Sequence, residues 1–216
     1  MSVSTENFLK AIYKIKMEEL EGATSTRLAK RLNISNAAVT DMAKNMARKG
    51  MVKYRKYKGI ELTEEGRSRA LKIIRKHRLW ELFLTRVLNY SWDEVHQDAE
   101  MLEHQTSDLL LERLDQYLGQ PAYDPHGEPI PDKRGKLPES EGFLKLTNCP
   151  EGKDYKIVQI NPGSNNLTMF FKENGFQLGT MIYLKKRYED IIEIRLEKTK
   201  LAIPTSIAGN LYVKPK

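Results

Sequence analysis

The sequence predicts a mainly α-helical chain that ends in a small β domain, and three observations carry that prediction. Apolar residues recur at helical spacing from Phe8 to Leu118, broken by a single short hairpin. A Pro/Gly-rich stretch then interrupts the chain between Gly119 and Gly142. Beyond it, short alternating segments read as strands. The expected divisions are 1–72, a winged helix-turn-helix; 73–141, a helical unit with the Pro-rich segment; and 142–216, a small β-barrel.

The elements follow from local chemistry. Thr5 is placed to cap a first helix whose apolar face holds Phe8, Leu9, Ile12 and Ile15. Thr24 or Ser25 precedes a short second helix carrying Leu28, Ala29 and Leu32. The turn Asn33-Ile34-Ser35 leads into a third helix, capped by Ser35 and ended at Gly50. Val52-Lys53-Tyr54 and Ile60-Glu61-Leu62 flank a basic, glycine-containing loop and read as a β-hairpin. Thr63 caps the next helix, with Glu64 and Glu65 complementing its dipole.

Residues 64–118 read as two long helices, interrupted at Asn89-Tyr90 and restarted by the capping-box pair Ser91 and Glu94. Their apolar residues, Leu79, Leu82, Leu84 and Leu109 to Leu111 among them, exceed what two helices can bury together. A packing partner is required, either the first unit or a second chain. Tyr155–Ile160, Thr180–Arg187 and Ile191–Leu196 alternate as strands, with a short helix before Gly175.

Composition narrows the setting. Cys149 is the only cysteine, which excludes an intrachain disulfide and a thiolate metal cage and suits a reducing cytosol. No histidine stands near it in sequence, and it reads as an inert thiol. The start, MSVSTENFLK, lacks the pattern of a secretory signal, and no apolar run approaches membrane-spanning length. A cytoplasmic protein with no membrane partner is expected.

Charge is concentrated in one place. Between Ala23 and Lys58 stand ten Lys/Arg and a single acid, Asp41, an excess of +9 in a chain of net charge +7. The rest therefore sums to −2. A helix, a three-residue turn, a helix and a basic hairpin is the order of a winged helix-turn-helix, and the charge lies where that motif meets phosphates. The third helix opens on small and polar side chains that permit close approach to base edges. The expected DNA contacts are Thr26 and Arg27 on the second helix, Ser35, Asn36, Ala37, Ala38, Thr40, Lys44 and Arg48 on the third, and Lys56 and Lys58 in the wing. Double-stranded DNA is the partner this implies.

Three of the four histidines fall between positions 77 and 104. His77 and Glu81 are spaced i and i+4; His96, Glu100 and His104 are spaced i, i+4 and i+8, with Glu103 one step round the same side. Two neighbouring helices presenting these faces to each other can enclose one or two divalent ions. Imidazole with carboxylate suits manganese, iron(II), cobalt or zinc, and the absence of sulfur favours the harder ions. His126, in the Pro/Gly stretch, has no partner in sequence and reads as structural. There is no HExxH pattern, activated Ser or Cys nucleophile or Gly-rich phosphate loop, so neither an enzyme nor a small organic substrate is expected.

The run from Thr5 to Tyr13, VTDMAKNMARKGMV at 39–52, LTEEG at 62–66, RKHRLWELFL at 75–84, VHQDAEMLEH at 95–104 and PHGEPIP at 125–131 resemble the diphtheria toxin repressor family of iron- and manganese-dependent regulators. The resemblance spans residues 5–131 in unbroken order. It implies that the middle unit is a helical dimerisation and metal-binding domain. It further implies a homodimer that binds pseudo-palindromic operators of metal-uptake genes once loaded with a divalent cation. The C-terminal part is similar to the family's small barrel, related to ferrous-transport accessory domains, through strand order and Gly179. Around Ser164-Asn165-Asn166 it offers amides and a hydroxyl and no carboxylate.

Carried over by position, His77, Glu81 and His96 match one metal site of the family, and Glu100, Glu103 and His104 match the other, which Asn7 completes. Iron-type members carry a cysteine where Glu100 stands and a methionine where Asn7 stands. Manganese-type members carry Glu and usually Asp. Glu100 therefore points to Mn2+, with Fe2+ the alternative and Zn2+ or Co2+ as substitutes, while Asn7 departs from both patterns.

Overall fold

The computed structural model describes residues 2–18, 22–55, 59–139, 142–161, 163 and 165–216, without the side chains of Glu18 and Asn165. The chain opens with α1 (Val3–Glu18), α2 (Ser25–Leu32) and α3 (Asn36–Arg48), followed by the antiparallel hairpin of β1 (Val52–Arg55) and β2 (Gly59–Leu62). Phe8, Leu9 and Ile12 of α1, Leu28 of α2, Val39 and Met46 of α3, and Val52 and Ile60 of the hairpin form one core.

Capping residues explain most of these boundaries. Thr24 Oγ1 accepts from the Arg27 N–H and Ser35 Oγ from the Ala38 N–H, each relieving an orphan donor of a first turn. Thr5 does not cap α1. The helix starts two residues earlier, and the Thr5 N–H donates to the backbone carbonyl of Ser2. Thr63 caps α4 (Glu64–Leu88) by accepting from the Gly66 N–H. A Cβ on Gly66 would lie 1.9 Å from the Met51 carbonyl oxygen, so this glycine lets the helix start against the end of the β1 approach.

At 25 residues α4 runs about 37 Å, and it serves two cores. Ala70, Leu71 and Ile74 belong to the first; Leu79 and Leu82 pack with Leu111, Leu114 and Ile130 in the second. A division at residue 72 therefore falls inside one continuous helix.

Residues 64–118 form three helices where the apolar pattern predicts two: α4, α5 (Val95–Gln105) and α6 (Asp108–Tyr117). The break has a local cause. Ser107 caps α6 through the Leu110 N–H, and Thr106 is held out of the helix while its Oγ1 accepts from Trp80 Nε1 at 2.7 Å and its carbonyl accepts from Lys76. The Ser91/Glu94 pair forms half of its box: Glu94 accepts from the Ser91 N–H and Oγ, and α5 begins at Val95. Met101, Leu109, Leu110 and Tyr117 stay exposed on this helical unit.

Residues 122–132 of the Pro/Gly stretch form a platform as well as a connection. Asp124 Oδ1 accepts from the N–H groups of His126 and Glu128, closing a tight turn, and Arg75 and Arg78 donate to the carbonyls of Pro131 and Pro129. Gly127 has φ +81°, and a Cβ there would lie 2.1 Å from the Val158 carbonyl oxygen. Only glycine gives both the left-handed turn and this approach.

The C-terminal domain contains β3 (Leu144–Lys145), β4 (Lys153–Ile160), α7 (Asn165–Glu173), β5 (Met181–Arg187), β6 (Ile191–Leu196), β7 (Thr199–Pro204), α8 (Thr205–Ala208) and β8 (Leu211–Pro215). Its six strands form an antiparallel sheet in the order β3-β8-β4-β5-β6-β7, with register shifts in β4 and β5 of the kind that bend strands. The domain is docked on the helical unit. Trp92 packs against its core, Lys172 pairs with Asp93 at 2.8 Å, and the Ile160 N–H donates to the His126 carbonyl. No helix among the described residues is long and apolar enough to cross a membrane.

Candidate metal centre

A cavity of about 920 Å³ opens where the three units meet, and Asn7, His77, Glu81, His96 and Glu100 line it. Three helices supply its chemistry. From α4, His77 and Glu81 stand one turn apart; from α5 come His96, Glu100, Glu103 and His104; from α1, Glu6, Asn7 and Lys10 project on one face.

His77, Glu81 and His96 form one tight group. His77 Nε2 lies 3.1 Å from a Glu81 oxygen and 3.1 Å from His96 Nδ1, which is itself 3.2 Å from Glu81. A second group joins His77 to Glu100 and Glu103: the other ring nitrogen, Nδ1, lies 2.6 Å from Glu103 and 3.8 Å from Glu100. These two groups share His77, which the resemblance assigns to the first alone. Glu103 also neighbours His104, whose Nε2 is 3.4 Å from it. His104 Nδ1 lies 2.6 Å from Glu6, so its partner reaches across from α1.

Burial and charge set the protonation of this cluster. Burial is the strongest influence on His77 and opposes its charge, as does Lys10, but the Glu81 charge and the hydrogen bonds to Glu103 and Glu81 together hold the ring above its ordinary range. Glu81 is buried too, yet His77 holds it well below the usual carboxylate range, helped by a hydrogen bond from His96. Burial likewise resists ionisation of Glu100, and the Lys10 ammonium overrides it.

A metal leaves a further signature in the unsatisfied atoms. Among the described residues, five buried side-chain N or O atoms lack a hydrogen-bond partner, and four are Asn7 Oδ1, His104 Nε2, Asp124 Oδ2 and His126 Nδ1. Buried polar atoms without partners are costly, and of these four Asn7 Oδ1 and His104 Nε2, beside the Glu100/Glu103 group, carry lone pairs that a divalent ion accepts. The donor set fits such an ion: imidazole nitrogens, carboxylate oxygens and an amide oxygen. Cys149 is remote from it, sealed in the core of the C-terminal domain with its thiol pushed up by burial.

Sequence spacing missed Glu6, Lys10 and Asp124 and assigned His126 no partner. His126 instead lies in the cavity wall, its ring 4.8 Å from that of Trp92. Burial makes its imidazolium unfavourable, and burial together with the charges of Glu128 and Glu81 keeps Asp124 protonated well above its ordinary range. The alternation of Asp124, His126 and Glu128 was the available signal.

The other predicted residues lie on the first unit. Val39, Ala43 and Met46 bury one side of α3, leaving Asn36, Ala37, Lys44 and Arg48 exposed and Ala38 and Thr40 half-buried. Thr40 Oγ1 donates to the Asn36 carbonyl, and Ser35 is exposed at the cap. Lys44 meets Asp41 only at 4.0 Å, in solvent. Thr26 is exposed on α2, whereas Arg27 is half-buried, donates to the Gly22 carbonyl and lines the cavity. Lys56 and Lys58 lie outside the described residues.

Comparison with known proteins agrees with this layout. The family "Iron dependent repressor, N-terminal DNA binding domain" matches residues 1–60, "Iron dependent repressor, metal binding and dimerisation domain" matches 63–132, and the FeoA domain matches 144–215. The iron-dependent repressor IdeR of Mycobacterium tuberculosis is 36% identical over 163 residues, covering 72% of this chain and 70% of that protein. A manganese-dependent transcriptional repressor in complex with manganese superposes with a TM-score of 0.91 at 29% identity, over 98% of this chain and 100% of that one. ScaR with bound Zn2+ superposes at 0.86 and 30% identity, over 98% and 99%.

Proposed function

The chain belongs to the diphtheria toxin repressor family, and from that premise we propose that Mn2+ is the ion that switches it. Like its relatives it is a metal-dependent DNA-binding transcriptional repressor and not an enzyme, with a DNA-binding and a dimerisation domain. The finer reading is a cytoplasmic homodimer on a pseudo-palindromic operator of metal-uptake genes. Its ligands are His77, Glu81 and His96 in one site, and Asn7, Glu100, Glu103 and His104 in the other.

One observation carries the metal assignment: the two groups of side chains close enough to hold an ion, His77/Glu81/His96 and His77/Glu100/Glu103, are built from histidine and glutamate with no cysteine. A set without sulfur suits Mn2+, and the same donors take Fe2+, with Zn2+ or Co2+ as substitutes. A bound ion supplies two positive charges between side chains of α1 and α5. Asn7 offers its amide oxygen from the DNA-binding unit. Glu6 holds His104 by Nδ1 and so directs Nε2 toward the site. To offer a nitrogen lone pair to an ion, His77 would have to release its proton to solvent.

Ligands drawn from α1 and α5 fix the angle of the DNA reader against the dimer core. Two recognition helices about 34 Å apart, one DNA turn, is what a two-fold operator needs. On α3 the exposed Asn36, Ala37, Lys44 and Arg48 face base edges and phosphates, with Lys56 and Lys58 in the wing. Because the ion favours one arrangement, DNA tightens metal binding in return.

Fluorescence anisotropy on a single operator fragment, titrated with Mn2+, Fe2+ and Zn2+ in parallel, tests the reading. Mn2+ is expected to drive binding at the lowest free concentration, and His104→Ala to lose the response while the dimer stays folded. Full operator binding in excess chelator would overturn metal switching; a lower threshold for Fe2+ would reassign the ion.

A further inference from the structure

Lys10 stands at the centre of the acidic cluster. It is the third member of the α1 face that carries Glu6 and Asn7, and only 6% of it is exposed. Its ammonium lies 2.6 Å from Glu100 Oε2, 2.7 and 2.8 Å from the two oxygens of Glu103, and 3.5 Å from His77 Nδ1. An ammonium has three N–H donors and here meets three carboxylate oxygens, so its hydrogen bonding is saturated. Those oxygens, with His77, are one of the two groups of side chains close enough to hold an ion.

A divalent ion bonded to oxygens at roughly 2.0–2.2 Å cannot share them with an ammonium at hydrogen-bonding distance without strong repulsion between the two cations. We propose that Lys10 is a resident counter-cation: it occupies the Glu100/Glu103 seat in the metal-free protein and is displaced when a divalent ion enters. This rests on the reading that Glu100 and Glu103 are metal ligands, and it deepens that reading. Without the ammonium, Glu103, which is fully buried, would keep only the His77 ring at 2.6 Å and the more distant His104 ring at 3.4 Å beside its charge. Its presence keeps the cluster folded before metal arrives, and it raises the concentration of metal needed to load the site. Lys10 also ties α1 to α5 in the metal-free state, so loading exchanges one interdomain link for another.

The test is Mn2+ calorimetry on the full-length dimer with wild type, Lys10→Met and Lys14→Met. Lys14 lines the same cavity without a hydrogen bond to Glu100 or Glu103 and controls for general charge. Displacing one ammonium from charge-assisted hydrogen bonds sets the scale, so Lys10→Met is expected to bind Mn2+ about tenfold more tightly or better. Its metal-free melting temperature should fall, and Lys14→Met should change affinity by less than about threefold. Unchanged or weaker binding by Lys10→Met, or an equal gain in Lys14→Met, overturns the proposal.

Should Lys10→Met fail to fold, 15N NMR of the wild-type lysine ammonium groups decides. A protected Lys10 signal is expected in the metal-free dimer, shifted or lost to water exchange on adding Zn2+; a signal that persists unchanged in the Zn2+-bound dimer overturns displacement. A wild type that binds no Mn2+ would overturn the metal reading and this proposal together. Tight wild-type binding without a gain in Lys10→Met overturns displacement alone.

Discussion

His77 Nδ1 on α4 lies 2.6 Å from Glu103 on α5, while the opposite nitrogen of the same ring lies 3.1 Å from Glu81. One imidazole therefore joins two groups of side chains that helical spacing separates. The long helix α4 fixes His77 through the cores at both its ends, and the pairing fixes α5 against it. Three further consequences of the geometry, and one of the fold, are open to measurement.

Glu6 is not a ligand in the proposed site, yet it orients one. Its carboxylate lies 2.6 Å from His104 Nδ1 and leaves Nε2 unpartnered. Removing such a supporting carboxylate typically costs about 10–100-fold in metal affinity. Glu6→Ala should weaken Mn2+ binding on that scale in calorimetry, and Glu6→Gln by less, since the amide still accepts a hydrogen bond. Affinity equal to wild type in both variants would remove Glu6 from the account.

The metal-free protein should show a pH window set by the His77–Glu81 pair. His77 is raised above 6.5, so its contribution is complete below pH 6.5 and is lost as pH rises through the raised value. Glu81 is held below 4.5, so its contribution is present above pH 4.5 and is lost as pH falls through the lowered value. The two overlap between pH 4.5 and 6.5. The melting-temperature difference between wild type and Glu81→Gln, measured in chelator, should be largest there and smaller at alkaline pH. A difference that grows steadily toward alkaline pH contradicts the pairing.

Lys44 is exposed on α3 with only a distant ion pair to Asp41. Surface pairs of this kind are worth little, so its charge is available to phosphate. Lys44→Ala should lower DNA affinity at every metal concentration and reduce the slope of log K against log salt by about 0.9. An unchanged slope would place Lys44 off the DNA.

Gly127 holds the turn that meets the C-terminal domain. With φ +81° and 2.1 Å between an added Cβ and the Val158 oxygen, Gly127→Ala must move backbone. The strain is expected to cost at least about 1–3 kcal/mol, which for a chain of this size lowers the melting temperature by several degrees. Exchange of the Ile160 amide, which donates to the His126 carbonyl, should accelerate. Wild-type protection at Ile160 would mean that the turn does not dock the domain.

Much of the first unit was legible because its signals are local. Thr24, Ser35 and Thr63 cap the helices they precede, and the hairpin pairs Val52 with Leu62 as its alternation suggests. The break at Thr106-Ser107 was missed because three leucines follow it, although Ser107 carried a cap signal. Thr5 failed as a cap because Ser2 offered an earlier start.

The sequence by itself determined the order of domains, the basic helix-turn-helix and the pairs His77/Glu81 and His96/Glu100, since helical periodicity puts residues four apart on one face. It could not determine which face meets which. That His77 serves both groups, that Lys10 lies among the acids of α5 and that His126 and Glu128 close the cavity wall were decided by packing between segments tens of residues apart. The physical reason is range: a cap or an i,i+4 pair is fixed by its own turn of backbone. A buried cluster of charges exists only once distant helices exclude water around it, and then burial and neighbouring charge, not spacing, set what each residue can bind.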